Sequence, residues 1–237
     1  MVNFLRPVSR TGTLSDGVFN TLLLEILSGR WPANEAAPSE RDLAAELNVT
    51  RHVVREALKR LQQAGLVRIS QGGKTMVLDW RTHAGLDMGF ALIDAGVVPL
   101  ADIFRDTAVL RRTVGVDAVR LCALKANDDQ LAAVTAAAAA YPHTGTLQEF
   151  EDAELRLWTA IMIGSGNVAY QLALNTLMRS IEEVGAVMVQ GLNAEALTNR
   201  GGQVELATAI TNRDADTAVA LAYVLLSELV DVFGPGD

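Results

Sequence analysis

Two arginines in the first third of the chain have the type and spacing for contacting nucleic acid. Arg51 and Arg55 are four residues apart, in a segment whose apolar residues recur at helical spacing. This separation places both side chains on one helix face, opposite the apolar stripe. An arginine can donate two parallel hydrogen bonds to N7 and O6 of guanine in the major groove. Arg51 stands at the predicted helix start, where the helix dipole disfavours a cation, so we expect an anion to offset that cost.

The neighbouring polar residues admit plainer interpretations as well. Thr50 can accept a hydrogen bond from the backbone as a helix cap, or donate one to a phosphate. His52 fits an accessory phosphate contact or a surface position better than a catalytic base. Arg55, beside Glu56 and Lys59, also fits a solvated helix face. The prediction of a DNA contact therefore depends mainly on Arg51.

Charge is distributed unevenly along the chain. The 237 residues have a net charge of −8, which by itself argues against a nucleic-acid partner. Residues 41–74, however, hold seven basic and three acidic residues, whereas residues 80–237 hold ten basic and twenty acidic ones. A basic patch on an acidic chain indicates a local surface for phosphate, and the acidic remainder would be repelled by the same phosphates.

Sequence patterns around this patch predict three helices followed by a β-hairpin. The predicted elements are a helix after Ser15, a helix over 40–46 capped by Ser39, a helix after Thr50 that ends at Gly65, and strands over 66–70 and 74–78. The turn Gln71-Gly72-Gly73 is glycine-rich, so with Lys74 it fits a close approach to the adjacent minor groove. This order of elements is that of a winged helix-turn-helix, whose recognition helix reaches the bases with its first turn.

Almost everything beyond residue 86 has a helical pattern. The predicted helices span 86–95, 99–125, 128–141, 147–163, 167–189, 194–212 and 215–233. No long stretch there alternates between apolar and polar residues as a strand would, so the pattern predicts an all-α helical bundle. Residues 80–86 are typical of a linker. The predicted fold class is therefore mainly α, with a winged helix-turn-helix domain over residues 1–79 and an all-helical domain over residues 80–237.

Composition argues against several other classes of protein. The single cysteine, Cys122, allows no intrachain disulfide and no thiolate metal cluster, and it fits a small buried residue. No run approaches the roughly 18–20 apolar residues that span a bilayer, and no secretory pattern is visible, so we expect a cytoplasmic protein without a membrane partner. No Ser-His-Asp set, helical His/Glu metal pattern or phosphate loop is visible, so we expect no enzyme, with catalysis by the helical half as the rival hypothesis.

Many linked positions of the first half resemble the DNA-binding signature of the GntR family of regulators. They are Ala37, Pro38, Ser39, Glu40, Arg41, Asp42, Leu43, Ala44, Val49, Thr50, Arg51, Val54, Arg55, Glu56, Ala57, Leu58, Leu61, Gly65, Leu66 and Val67. The resemblance implies DNA contacts by Arg41, Thr50, Arg51, His52 and Arg55, and by Gln71 and Gly72 at the wing tip. His52 stands where the family often has a small hydroxyl residue, which changes the base preference expected there.

The second half resembles the FadR-type helical effector domain. The resemblance is carried by Gly164-Ser165-Gly166-Asn167, by Val109-Leu110-Arg111, by Ala209-Ile210 before Asp214-Ala215-Asp216, and by a linker over 80–89 similar to that of fatty-acid-responsive FadR proteins. Many such domains hold a divalent metal with three histidines and an aspartate, but here the three histidine positions carry Trp158, Gln203 and an apolar residue near Leu225. We therefore expect no metal and no cofactor, and an apolar pocket around Trp158 like that of the acyl-CoA-binding branch.

The same resemblance indicates where an effector would bind. The candidate effector contacts are Arg111, Trp158, Asn167, Tyr170, Met178 and Tyr223. Arg111 stands where family members carry a pocket arginine for an anionic effector. Because a buried arginine without a partner is costly, it needs either a ligand or an acid such as Glu182 or Glu183. Asn167 fits a helix cap better than a ligand contact, and both tyrosines and the methionine also fit core packing.

Together these features predict a transcriptional regulator, more specifically a repressor, that binds an inverted-repeat operator on double-stranded DNA as a homodimer. A small-molecule effector, such as an acyl-CoA or a fatty-acid-like ligand, would shift the spacing of the two recognition helices. Two alternatives stay open: an architectural DNA-binding dimer without an effector, and a regulator that responds to a small carboxylic acid.

Overall fold

The computed structural model describes residues 14–70, 73–184 and 197–232. Within these ranges most residues are helical, and the strands form one two-stranded sheet, so the mainly-α prediction is confirmed. The chain divides into two compact units, Met1–Pro99 and Leu100–Asp237.

Three helices form the first part of the N-terminal unit. They are α1 (Leu14–Leu27), α2 (Glu40–Glu46) and α3 (Arg51–Gln63). Ser39 caps α2 by accepting a hydrogen bond from the Asp42 amide, and Thr50 caps α3 by accepting one from the Val53 amide. Such caps satisfy amides that have no partner inside the helix. The helix starts that the sequence predicts at Ser39 and Thr50 are therefore confirmed.

The face that α3 buries fixes which residues it exposes. Its buried residues are Val54, Ala57, Leu58 and Leu61. They pack in one core with apolar residues of α1, among them Leu22. Their spacing of three and four residues is that of one helix stripe, so the opposite face of α3 is left to solvent.

The wing is a short antiparallel hairpin of β1 (Val67–Ile69) and β2 (Thr75–Val77), in which Val67 pairs with Val77. Both strands are shorter at each end than the sequence predicts. The loop before α2 pairs with the outer side of β2, since the Ala37 amide donates to the Thr75 carbonyl. That pairing covers the outer edge of β2.

Residues 80–99, which the sequence places in a linker and the second domain, fold on the first core. They form α4 (Trp80–His83), a 3-10 helix (Leu86–Met88) and α5 (Gly89–Asp94), where a linker and one continuous helix over 86–95 were predicted. Met88 and Leu92 are buried in the same core as α3. Gly65, with φ +75°, ends the turn after α3, and a side chain there would collide with the His83 carbonyl.

The second unit is a bundle of six described helices. They are α6 (Leu100–Lys125), α7 (Asp128–Ala139), α8 (Leu147–Gly164), α9 (Val168–Val184), α10 (Arg200–Thr211) and α11 (Ala215–Val232). Full capping boxes begin α7 at Asn127 and α8 at Thr146. Within the described residues, the predicted helix over 194–212 is interrupted at Asn199, which caps the helix Arg200–Thr211.

Small residues let the helices of the bundle approach one another closely. A side chain at Gly115 on α6 would meet Leu226 of α11 at 2.6 Å and Trp158 of α8 at 3.3 Å. A side chain at Gly164 would run into the Sγ of Cys122, which is buried as predicted. The helices therefore cross in direct contact at these two glycines.

Among the helices that the structure describes, none has the length and apolarity to cross a membrane.

Candidate functional site

The first candidate site is the exposed face formed by the starts of α2 and α3. Arg51 is the first residue of α3 and Arg55 lies one turn later, both exposed and opposite the buried stripe. Arg51 makes no hydrogen bond or ion pair with the residues that the structure describes. The two helix starts lie side by side, since Arg55 of α3 bonds Glu40 of α2. Hydrogen bonds lower the pKa values of Glu40 and Asp42, and the nearby Arg51 charge lowers them further.

Two of the predicted DNA-contacting arginines are paired with acids of α2. The Arg55 guanidinium donates to Glu40 from Nε at 3.2 Å and from Nη2 at 2.8 Å. This hydrogen bonding lowers the pKa of Glu40 and raises the pKa of Arg55. Arg41 donates from Nε to Asp42 at 3.3 Å. Of the three arginines at this face, Arg51 is the one whose donors are all free among the described residues, whereas Arg41 and Arg55 each use some of theirs.

The remaining predicted DNA contacts lie around this face or outside the described residues. His52, on the first turn of α3, and Lys74, just before β2, are both exposed. Thr50 uses its hydroxyl oxygen to cap α3, which leaves the hydroxyl proton for another acceptor. Gln71 and Gly72 lie outside the residues that the structure describes.

The second candidate site lies between α6 and α8 in the helical unit. Arg111 of α6 donates from Nη2 to Glu154 of α8 at 2.7 Å, and both side chains are more than four-fifths buried. The sequence predicted either a ligand or an acid such as Glu182 or Glu183, whose side chains lie outside the described residues; the acid that the structure shows is Glu154. Tyr141 lies near this pair, and its pKa is raised mainly by burial and further by the Glu154 charge. The Arg111 charge is thus balanced inside the protein.

Trp158 follows Glu154 by one turn of α8 and faces the interior. Its ring lies against Gly115, and only 4% of the residue is exposed. The Nε1 of Trp158 and the Oε1 of Gln203, which is 1% exposed, have no hydrogen-bond partner among the described residues. A buried polar atom without a partner costs free energy, so these two atoms are suited to a polar ligand.

The other predicted effector contacts are placed differently. Asn167 caps α9 by accepting hydrogen bonds from the amides of Ala169 and Tyr170. The Tyr170 hydroxyl donates to Asp117 of α6 at 2.9 Å, which fixes α9 to α6. Tyr223 is 53% exposed and lies under the Arg112 guanidinium, so it does not line the interior. The side chain of Met178 lies outside the described residues.

An open groove of about 590 Å³ runs between the start of α7 and the second half of α8. Its lining includes Leu155 and Ile163, and none of the predicted effector contacts belongs to it. In the described part of the chain, no three or more His, Cys, Asp or Glu side chains are grouped as a metal site would need.

Sequence reasoning missed the two acids that complete these sites. The sequence showed Glu40 only as part of the family signature. Its pairing with Arg55 was missed because the two residues are fifteen positions apart and belong to different helices. Glu154 lies 43 residues from Arg111, and its position on the inward side of α8 was the available signal.

Models of two protein families match the chain. The model described as bacterial regulatory proteins, gntR family, matches residues 14–77, and that of the FCD domain matches residues 106–228. These ranges cover the two candidate sites.

Curated relatives match in two ways. The HTH-type transcriptional regulator Mce2R of Mycobacterium tuberculosis is 51% identical over 84 residues, which are 35% of each chain. The match thus spans about a third of that relative's length. The fatty acid metabolism regulator protein of Edwardsiella ictaluri is 26% identical over 215 residues, which are 90% of this chain and 84% of that protein.

Among solved structures, that of Lar, which controls expression of the Listeria monocytogenes agr system, superposes with a TM-score of 0.56. The sequences are 16% identical, and the alignment covers 95% of this chain and 98% of that one. This similarity supports the fold.

Proposed function

The chain belongs to the GntR family of bacterial regulatory proteins and carries an FCD domain, and from this premise we propose that it is a repressor that binds an inverted-repeat operator as a homodimer and is released by an acyl-CoA or fatty-acid-like effector. Its general role follows from the two family matches: it is a DNA-binding transcriptional regulator with an effector-binding domain. The observation that carries the proposal is the exposed arginine face of α3.

Recognition in this proposal begins at the first turn of α3. The Arg51 side chain is exposed and bonds to none of the residues that the structure describes, and Arg55 lies on the same face one turn later. The helix start exposes amides to a phosphate oxygen, and an arginine there can reach a guanine edge in the major groove. The acidic second unit is kept from the duplex by repulsion, so the contacts are confined to the winged unit.

Two protomers are needed to read an inverted repeat. A twofold axis through the dimer would present two copies of α3 to half-sites about one helical turn, roughly 34 Å, apart. An effector that binds one arrangement of the protomers more tightly would shift this spacing. Repression needs no contact beyond occupancy of the promoter, which favours it over activation.

The interior of the helical unit supports this class of effector. Trp158 and Gln203 offer one buried donor and one buried acceptor in apolar surroundings. An acyl chain suits the apolar surroundings, a thioester carbonyl can accept from the indole, and a pantetheine amide can donate to the glutamine. A small carboxylic acid is less favoured, because it would have to displace Glu154 from Arg111.

A salt titration tests the DNA half of the proposal. The intact protein is titrated against a labelled duplex from its own promoter region at several salt concentrations. We expect two protomers per duplex and a binding constant that falls steeply with salt, by about 0.9 log units per log unit for each phosphate contact. Absence of binding at low salt, with the oligomeric state intact, would refute the proposal.

Thermal-shift measurements test the effector half. Acyl-CoAs, fatty acids and short carboxylic acids are added to wild type, to Trp158→Phe and to the control Trp31→Phe, which alters a buried tryptophan of the winged unit. A ligand at 100 times its Kd should stabilise wild type by about 2.7 kcal/mol. We expect that stabilisation in Trp31→Phe and a smaller one in Trp158→Phe. If no ligand stabilises wild type, the architectural alternative is favoured.

A further inference from the structure

The ion pair between Arg55 and Glu40 joins the two helix starts of the DNA-binding face. It holds three donor–acceptor contacts, two from Nε at 3.2 Å and one from Nη2 at 2.8 Å. The side chains are 55% and 32% exposed, so the pair is open to solvent. Exposed ion pairs add little to stability, which leaves the pair available for a role in binding.

Counting donors shows what the pair leaves free. A guanidinium has five N–H groups in a rigid plane. Glu40 accepts from Nε and from Nη2, so both protons of Nη1 and the second proton of Nη2 have no part in the pair. The Nη1–Nη2 edge is itself a two-pronged donor, and two prongs are what the O6 and N7 atoms of a guanine accept. The acid therefore occupies one edge of Arg55 and leaves the edge that reads a base.

We propose that Glu40 is a positioning residue for sequence recognition, because it fixes the Arg55 guanidinium with its Nη1–Nη2 edge free for a guanine. This inference rests on the proposed function, since it assumes that α3 enters the major groove. An arginine without this support can rotate toward any nearby phosphate, which carries no sequence information. Glu40 also cancels one positive charge beside the duplex and so weakens sequence-independent binding.

The electrostatic surroundings support this role. The Arg55 hydrogen bonds are the largest influence on the Glu40 carboxylate and lower its pKa, and the Arg51 charge acts in the same direction. Glu40 therefore stays ionised at neutral pH and keeps the pair intact while the protein approaches DNA. Within the described ranges no acid is bonded to Arg51, so only one of the two arginines on this helix face is held by an ion pair.

Four variants test the inference: Glu40→Gln, Arg55→Ala, the double variant, and the control Glu56→Gln. Glu56 is the chain neighbour of Arg55, is exposed and bonds Lys59 at 3.0 Å, so its substitution makes the same charge change without releasing Arg55. Each protein is titrated against the operator, against operators changed at one base pair, and against unrelated duplex. Arg55→Ala identifies the base pair at which guanine preference is lost.

At that base pair we expect Glu40→Gln to lower the preference for guanine about tenfold, within the range that a bidentate contact supplies. On unrelated duplex it should bind more tightly and with a salt slope steeper by about 0.9, as one added phosphate contact requires. Glu56→Gln should leave the guanine preference unchanged. In the Arg55→Ala background, Glu40→Gln should cause no further loss of preference, because the residue acts through Arg55.

A Glu40→Gln protein that keeps the full guanine preference, while Arg55→Ala loses it, would overturn the inference and leave the proposed function standing. Absence of DNA binding by wild type would overturn both. Thermal unfolding checks that each variant folds. Glu40→Asp is a second test of the inference, because it keeps the charge but shortens the side chain. It should lower the guanine preference without a steeper salt slope. A wild-type guanine preference in this variant would count against the inference.

Discussion

Removal of the Arg51 side chain separates a role in DNA binding from a role in folding. Arg51 is exposed at the start of α3 and bonds to none of the described residues. Its cation faces the positive end of the helix dipole, and alanine is the best helix former, so Arg51→Ala should leave stability unchanged or raise it by a few tenths of a kcal/mol. Loss of a base or phosphate contact should weaken operator binding by about 1–3 kcal/mol, or roughly 5- to 150-fold.

The assay is a fluorescence-anisotropy titration of the full chain against its operator at fixed salt, with thermal unfolding of the same samples. Arg60→Ala is the matched control, because it removes the same charge from the same helix. Arg60, however, bonds Asp16 at 2.7 Å and lies over the Phe19 ring at 4.2 Å. Its loss should lower stability by about 1 kcal/mol and change operator affinity little.

Two results would refute this reasoning. Wild-type affinity in Arg51→Ala would mean that the start of α3 does not face DNA. Equal weakening by Arg51→Ala and Arg60→Ala would mean that binding senses only total charge. In either case the docking of α3 by its first turn would have to be abandoned.

Three further predictions concern stability. Gly164→Ala should lower the free energy of unfolding by about 1–3 kcal/mol in urea denaturation, because the new methyl group meets Cys122, and an unchanged midpoint would contradict the packing. Arg30→Ala should lower the free energy of unfolding by about 1–3 kcal/mol in the same assay, because it removes the partner of Glu25, which is 3% exposed. A loss smaller than that caused by Arg60→Ala at its exposed ion pair would contradict this prediction. Burial raises the pKa of Cys122 from 9.0 to about 11, so the Cys122 contribution to stability should be constant well below pH 9 and should fall by roughly 2–3 kcal/mol up to pH 11, because only the unfolded thiol ionises there; Cys122→Ala should remove this part of the alkaline loss.

The winged unit could be predicted well because its signals are local. Ser39 and Thr50 mark helix starts through hydrogen bonds that span three residues, and α2 has the predicted bounds. The segment over 80–99 could not be assigned in the same way. Its helices are short, and Met88 and Leu92 are buried only because the first core lies beside them. A pattern of so few residues cannot show which core it joins.

Side-chain pairs between helices that are distant in sequence were the main feature that the sequence could not predict. Arg111 and Glu154 are 43 residues apart, and their contact depends on the crossing of α6 and α8, which close packing at Gly115 sets. The sequence showed correctly that Arg111 needs an acid or a ligand. Several acids could meet that need, and the choice depends on helix rotation that periodicity fixes only to within a face.

That pairing has a consequence for the switch that we propose. A hundredfold preference of the effector for one arrangement of the protomers requires about 2.7 kcal/mol. Arg111 is already neutralised by Glu154, so this arginine offers no unbalanced charge to an anionic effector. Trp158 and Gln203 each bury an atom without a partner among the described residues, and satisfying such an atom is worth about 1–3 kcal/mol. Two hydrogen bonds, formed in one arrangement and absent in the other, are therefore sufficient for the switch without any new charge.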